Sequence, residues 1–540
     1  MKMKTQVFNP YLPSYEYVPD GEPHVFGERL YLYGSHDRFD AAGFCLNDYV
    51  CWSAPVDDLT QWRYEGVIYR KDQDPVNQNI PADAPPQRLL FGIGPKKPSD
   101  LNPRGVHALW APDVAQGPDG RYYLYYCLDF LPEIGVAVCD TPCGAYEYLG
   151  RVRHADGTPL GARQGDLTQF DPGVFVDEDK QVYLYSGNAP MRPEQDDGMH
   201  HSQVMRLKPD MLTLAEEPRP LLPSVTESFG TGFEGHEFFE ASSIRKIGKL
   251  YYLIYSSVQS HELCYAVSSV PDSGYHFGGT LVDIGDVFLD GRTEEHAVNA
   301  LGNTHGGIEC CAGQWYVFYH RQTNRTNYSR QGCAEKITIA PDGSISQAAV
   351  SSCGLNRGPL EGEGSYPAYI CCHLTAESGA AFSHPEVMKM DYPFLTQGCD
   401  DLEPEDARAI RDAEDPVQVV RNLRDGSTIG FKEFAFSELT QIELELRGSG
   451  CGIFEVRTQP NGECRRRTWL GCSLAEEIRT GVHPGWRFLT VFHVPGQRLH
   501  RYEKLSSYQT ERRLSVNEDH LSDSRAVCAA VFEAGGRLCL

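Results

Sequence analysis

Five polar residues fall in matching register along the first two thirds of the chain. Asp20 stands 11 residues before Tyr31, Asp113 10 before Tyr123, and Asp171 12 before Tyr183; Glu240 stands 12 before Tyr252 and His305 11 before Tyr316. Each of these tyrosines opens an aromatic run: YLYGS, YLYYC, YLYSG, YLIYSS and YVFYH. Two carboxylates facing across a sugar are the minimal equipment for cleaving a glycosidic bond. One, kept protonated, gives its proton to the departing oxygen, and the other, ionised, activates water. A third carboxylate near the acid keeps it protonated by like-charge repulsion. A single Asp ahead of a strand is ordinarily a turn or cap residue, so the argument for chemistry rests on the shared register. Trp110 beside Asp113, and Phe238 and Phe239 before Glu240, offer faces for sugar rings; packing between structural units is the alternative for each.

The elements that would position these residues are β-hairpins. A short apolar run, a polar turn and an aromatic run recur, as in HVF-GER-LYLY (His24–Tyr33) and GVFV-DEDKQ-VYLYS (Gly173–Ser186), and this reads as two antiparallel strands. Five such hairpins predict a five-bladed β-propeller with long loops between blades. The polar residues then stand at the start of the innermost strands, which line the central channel.

The formal charge is −25, from 49 Lys+Arg and 74 Asp+Glu. That balance repels phosphate backbones and anionic membranes, so neither nucleic acid nor a membrane is an expected partner, whereas a neutral oligosaccharide or polysaccharide is not disfavoured. The start, MKMKTQVFNPYLPSY, has no apolar run of the secretory type. With 18 scattered cysteines and no C-x-x-C pair, the expectation is a cytoplasmic protein with reduced thiols.

Four segments carry a resemblance. Asn9–Asp37, WAPD at Trp110–Asp113, FDPGVFVDEDKQVYLYSG at Phe170–Gly187 and FFEASSIRKIGKLYYLIYSS at Phe238–Ser257 resemble, in order, glycoside hydrolase family 43. The resemblance implies a five-bladed propeller of inverting enzymes acting on arabinose-, xylose- or galactose-containing glycans, with no cofactor required for chemistry. It implies Asp20 as general base, Asp171 as pKa modulator and Glu240 as general acid. Trp110 would line the sugar subsite, with Asp113 and Phe239 beside it, and Arg321 would reach sugar hydroxyls. His305 is similar to an axial histidine found beside a structural calcium, although one histidine is a poor ligand for a hard cation and a core histidine is the alternative. Where the family has Asp-Pro at the base, this chain has Asp20-Gly21-Glu22-Pro23; register favours Asp20, and Glu22 stands as its rival.

The expected architecture is all-β: a propeller over residues 1–355, a jelly-roll-like β-sandwich over 365–500, and an unassigned tail over 501–540. Strand-like pieces at Ala368–Leu374, Thr428–Phe436, Gln441–Arg447 and Gly452–Arg457 support the sandwich. DGSTIGFKEFAF, beginning at Asp425, resembles carbohydrate-binding family 6. An acidic stretch, Asp400–Asp415, is expected to be a loop or short helix. The leading function is an exo-acting α-L-arabinofuranosidase; a β-xylosidase or galactan-acting enzyme of the same family, and a non-catalytic sugar-binding propeller, are the alternatives.

Overall fold

In the computed structural model, residues 6–41, 43–78, 80–81, 106–129, 131–380, 392–397 and 418–435 are described in full. Short backbone strands between 441 and 539 complete the description. The acidic stretch Asp400–Asp415 lies outside the described residues.

The chain forms a five-bladed propeller. Blade 1 is Glu22–Phe26 (β1), Arg29–Tyr33 (β2), Tyr49–Pro55 (β3) and Arg63–Tyr69 (β4); blade 2 is Leu109–Gln116 (β5), Tyr122–Leu128 (β6), Ile134–Cys139 (β7) and Glu147–Arg151 (β8). Blade 3 is Gly173–Val176 (β9), Val182–Ser186 (β10), Gln203–Leu207 (β11) and Arg219–Pro220 (β12). Blade 4 is Phe238–Ile247 (β13), Leu250–Ser257 (β14), Glu262–Ser268 (β15) and His276–Asp283 (β16). Blade 5 has three strands, Ile308–Cys311 (β17), Gln314–Gln322 (β18) and Arg330–Ile337 (β19). All pairings within the blades are antiparallel.

The aromatic runs are the second strands, and they are apolar on both faces because each blade is covered on both sides. Tyr31 and Tyr33 of blade 1 share a cluster with Leu124 and Tyr126 of blade 2. Blades 2 and 3 meet through Tyr125 and Leu184, blades 3 and 4 through Tyr185 and Leu253. Blades 4 and 5 meet through Ile254 and Val317, and blades 5 and 1 through Phe318 and Leu32. Five interfaces thus make one closed ring, in which every blade has both faces covered and only short outer edges remain.

The N-terminal segment closes that ring. The Tyr11 N–H donates to the Gly332 carbonyl on β19 at 3.3 Å. Asn9, buried, donates through Nδ2 to the carbonyls of Ala334 and Ser351 and accepts the Ala334 N–H. At the axis, Arg245 lies against Glu22 (2.9 Å) and Glu309 (3.5 Å), and His24 against Asp113 (2.6 Å). The channel below the site therefore holds a network of ion-pair and hydrogen-bond partners.

Beyond the propeller there are two five-stranded sheets. One holds Ser365–Pro367, Arg537–Cys539, Gln441–Leu446, Glu476–Gly481 and Arg512–Arg513; the other holds His373–Thr375, Thr428–Phe431, Leu489–Thr490, Gly452–Arg457 and Cys464–Leu470. The segment Ala368–Ile370 is a 3-10 turn rather than the start of a strand. The strand Arg537–Cys539, from the tail that sequence left unassigned, pairs with Ser365–Pro367 and with Gln441–Leu446. No helix among the described residues is long and apolar enough to cross a membrane.

Candidate active site

Four inner strands have a left-handed non-glycine residue just before them or near their start: Asp20 (φ 54°) and Asp171 (φ 43°) two residues ahead of β1 and β9, and Ala111 (φ 22°) and Ala241 (φ 71°) early in β5 and β13. Such backbone costs about 1–3 kcal/mol per residue and persists where surrounding structure enforces it, often at functional sites. Bulges accompany it in blade 2, between Trp110 and Asp113, and in blade 4, from Phe238 to Ser243. A bulge re-aims a side chain that regular pleating would bury between blades.

Asp20, Asp171 and Glu240, from three blades, meet at one end of the channel, close enough for their charges to act on one another. Asp20 and Asp171 are buried, while Glu240 keeps partial exposure. Burial would raise Asp20, but Arg330 and its other neighbours prevail and hold it below the usual aspartate range. Arg330 donates to Asp20 Oδ1 at 3.0 Å and is clamped by Asp37 through Nε and Nη2 at 2.9 and 3.0 Å. Asp171 is pushed well up by burial, then by the charges of Glu240 and Asp20. Glu240 is pushed up to about 8 by burial and by the Asp20 charge. At neutral pH the site therefore holds an ionised Asp20 and a proton on the Glu240–Asp171 side. His320, whose Nδ1 accepts the Asp20 N–H at 3.1 Å, is held neutral by burial, with its value lowered to about 3.

Aromatic rings stand beside the acids. Trp110 meets Phe44 and Phe170 edge-on, with centroids at 5.8 and 5.6 Å, and Arg330 lies over the Phe44 ring at 4.7 Å. All three rings are half-buried. Phe239 is half-buried next to Glu240. Phe238 instead enters the core between blades 3 and 4.

Two residues expected at the site lie elsewhere. Asp113 pairs across the hairpin with Tyr125, whereas Trp110 pairs with Cys127. Cys127 in YLYYC corresponds to Ser256 in YLIYSS, the partner of Glu240. Trp110 therefore takes the position of Glu240, and Asp113 sits two paired residues further down, about 7 Å along the strand. Its oxygens are taken by His24 (2.6 Å) and by the N–H groups of Val114 (2.7 Å) and Val174 (2.6 Å). Arg321 is also misplaced by sequence. Adjacent residues of a strand face opposite sides, and since His320 faces Asp20, Arg321 faces away, donating to the carbonyls of Tyr369 (2.8 Å) and Cys371 (2.5 Å). The cation at the site is Arg330, the first residue of β19, which sequence reasoning missed. Its only sequence signal is a charged residue heading an otherwise strand-like run, SRQGC. Glu22, the rival base, is bound to Ser243 (2.7 Å) and Arg245 (2.9 Å).

His305 joins the cluster, with Nδ1 3.5 Å from Asp171 Oδ2, and burial lowers its pKa. Calcium takes six to eight oxygen ligands. Among the described residues His305 has one carboxylate within ion-pair distance, Asp171; the donor set does not fit calcium held by protein atoms. Among the described residues, ligand-like groups occur at Glu22–His24–Asp113 and His236–Glu262–Cys264, and His305 belongs to neither.

Comparison with known proteins gives the family. The profile of glycosyl hydrolases family 43 matches residues 93–345. A xylosidase/arabinosidase of Thermoclostridium stercorarium is 47% identical over 491 residues, which is 89% of this chain and 95% of the relative. The chain belongs to glycosyl hydrolase family 43. A β-xylosidase of Xylanibacter ruminicola is 30% identical over 355 residues, 61% of this chain and 96% of the relative. An arabinoxylan arabinofuranohydrolase of Bacillus subtilis (strain 168) is 28% identical over 276 residues, 46% of this chain and 49% of the relative. As a family 43 enzyme, the chain is an inverting glycoside hydrolase whose chemistry requires no cofactor.

Proposed function

We propose that this family 43 enzyme removes a terminal pentose, arabinofuranosyl or xylosyl, from plant-type oligosaccharides. Asp20 acts as general base on the attacking water and Glu240 as general acid on the departing oxygen, with Asp171 in the modulator's place, its pKa raised by burial and the Glu240 charge so that the two share the proton. Inversion needs a base and an acid on opposite sides of the sugar with a water between. The observation that carries the assignment is the asymmetry of the cluster: Arg330 is bonded to Asp20 and to neither of the other two acids. A fixed cation makes one carboxylate a base, and crowding without one makes another an acid. Trp110, Phe44 and Phe170 supply a wall for the apolar face of the sugar. The names of the relatives, xylosidase/arabinosidase and arabinoxylan arabinofuranohydrolase, support a pentose; calcium enters no step. The two distal sheets support a β-sandwich after the propeller, similar to carbohydrate-binding family 6.

The test is a panel of nitrophenyl arabinofuranoside, xyloside and galactoside, with proton NMR of the first product. Turnover of one or both pentosides with inverted configuration is expected. Asp20→Ala falls by about a hundredfold or more, while Glu22→Ala retains the base function. A nearly active Asp20→Ala enzyme refutes the assignment, and binding without turnover across the panel turns the reading to a sugar-binding propeller.

A further inference from the structure

Six large apolar side chains are strongly exposed among the described residues: Val76, Met191, Met199, Phe229, Val270 and Phe288. Chain direction sorts them. Each inner strand starts at the carboxylate end of the channel, so the connections between blades, and from second to third strands, lie on that face. Five of the six sit in such connections; Val270, in the turn between β15 and β16, sits on the opposite face. The two aromatic ones flank a single blade. Phe229 precedes β13, the strand that carries Glu240, and Phe288 follows β16 of the same blade.

Neither ring is exposed by looseness of its loop. Phe229 is 97% exposed, yet its neighbour Ser228 donates to Glu237 at 2.8 Å, the Gly235 N–H donates to the same carboxylate at 3.0 Å, and Phe233 is buried in the core. Phe288 adopts φ 74°, a conformation that is costly for a bulky residue and is not compensated by burial, since the ring is 40% exposed. Its N–H is held by the Arg292 carbonyl at 2.9 Å. The ring meets His236 edge-on at 5.3 Å, and Glu262 fixes that imidazole at 2.7 Å.

We propose that Phe229 and Phe288 form a platform for the leaving-group sugars, so that the glycan beyond the scissile bond is recognised outside the catalytic cluster. The inference rests on the reading of Glu240 as general acid. An acid protonates the departing oxygen, so the leaving portion extends from the Glu240 side, over blade 4. Two uncharged phenyl rings suit the apolar faces of a neutral pyranose chain, and aromatic contacts of this kind discriminate by a few- to tenfold.

The test measures kcat/KM for xylobiose, xylotriose and xylotetraose, with arabinofuranosyl-substituted xylobiose and xylotetraose as a second series and the nitrophenyl glycosides as a reference without leaving-group sugars. In the wild type, kcat/KM rises with the number of leaving-group sugars. Phe229→Ala, at a fully exposed position, lowers the longest substrates by about three- to tenfold and the nitrophenyl glycosides by less than twofold; Phe288→Ala acts in the same direction. A wild-type series flat in length, or variants that keep the length dependence, overturns the platform while leaving the hydrolase reading standing. Absence of turnover on every substrate removes that reading and the platform with it.

Discussion

The division of labour among three carboxylates depends on one arginine. Arg330 lies between Asp20 and Asp37, and its charge keeps Asp20 ionised where burial alone would protonate it. Replacing Arg330 by Met raises the Asp20 pKa, so the acidic limb of the pH–rate profile moves up by about one unit or more. Arg330→Lys, which keeps the charge without the fork of donors, moves it less. A limb that stays in place in both variants separates Arg330 from the base. The acids themselves were legible in sequence because one register places Asp20, Asp171 and Glu240 at the starts of inner strands. The same counting failed for Asp113, where an offset of two residues keeps the face of a strand but changes the depth. Arg321, which the family resemblance implied would reach sugar hydroxyls, follows His320 on an alternating strand and so donates to the carbonyls of Tyr369 and Cys371 instead. Arg330 was not legible: it serves blade 1 from blade 5, and only the closed ring brings the two together.

At the scale of elements, the hairpins were legible for a packing reason. A strand covered on both sides by neighbouring blades shows an aromatic run without polar alternation, and all five second strands read that way. The closure of blade 5 was not legible. The stretch Met1–Tyr15 carries no strand pattern of its own, yet Asn9 completes the third strand of blade 5 through bonds to residues more than 300 positions away. Deleting its amide leaves the Ala334 N–H and two carbonyls without their partner. Asn9→Ala is expected to cost about 1–3 kcal/mol, read as a lower midpoint in urea, with kcat/KM on nitrophenyl pentosides little changed in the folded enzyme. A midpoint equal to wild type would show that the closure does not depend on this side chain.

For the whole molecule, the ring is what turns distant acids into one site. Asp20 and Glu240 come from different blades, and the core clusters between successive blades fix the angle at which their strands meet. The network of Glu22, Arg245, Glu309, His24 and Asp113 occupies the axis beneath them, which leaves chemistry to one end. Activity should therefore follow two groups that titrate in opposite senses. As pH falls through the lowered pKa of Asp20, the base is lost; as pH rises through about 8, Glu240 loses the proton it must donate. The most direct test is the pH dependence of kcat/KM for the wild type and Glu240→Gln on an activated nitrophenyl pentoside and on an unactivated oligosaccharide. The expected result is a wild-type alkaline limb near pH 8 that disappears in Glu240→Gln, with a far greater loss of rate on the oligosaccharide than on the activated substrate. A limb that survives the substitution, or equal loss on both substrates, would contradict it.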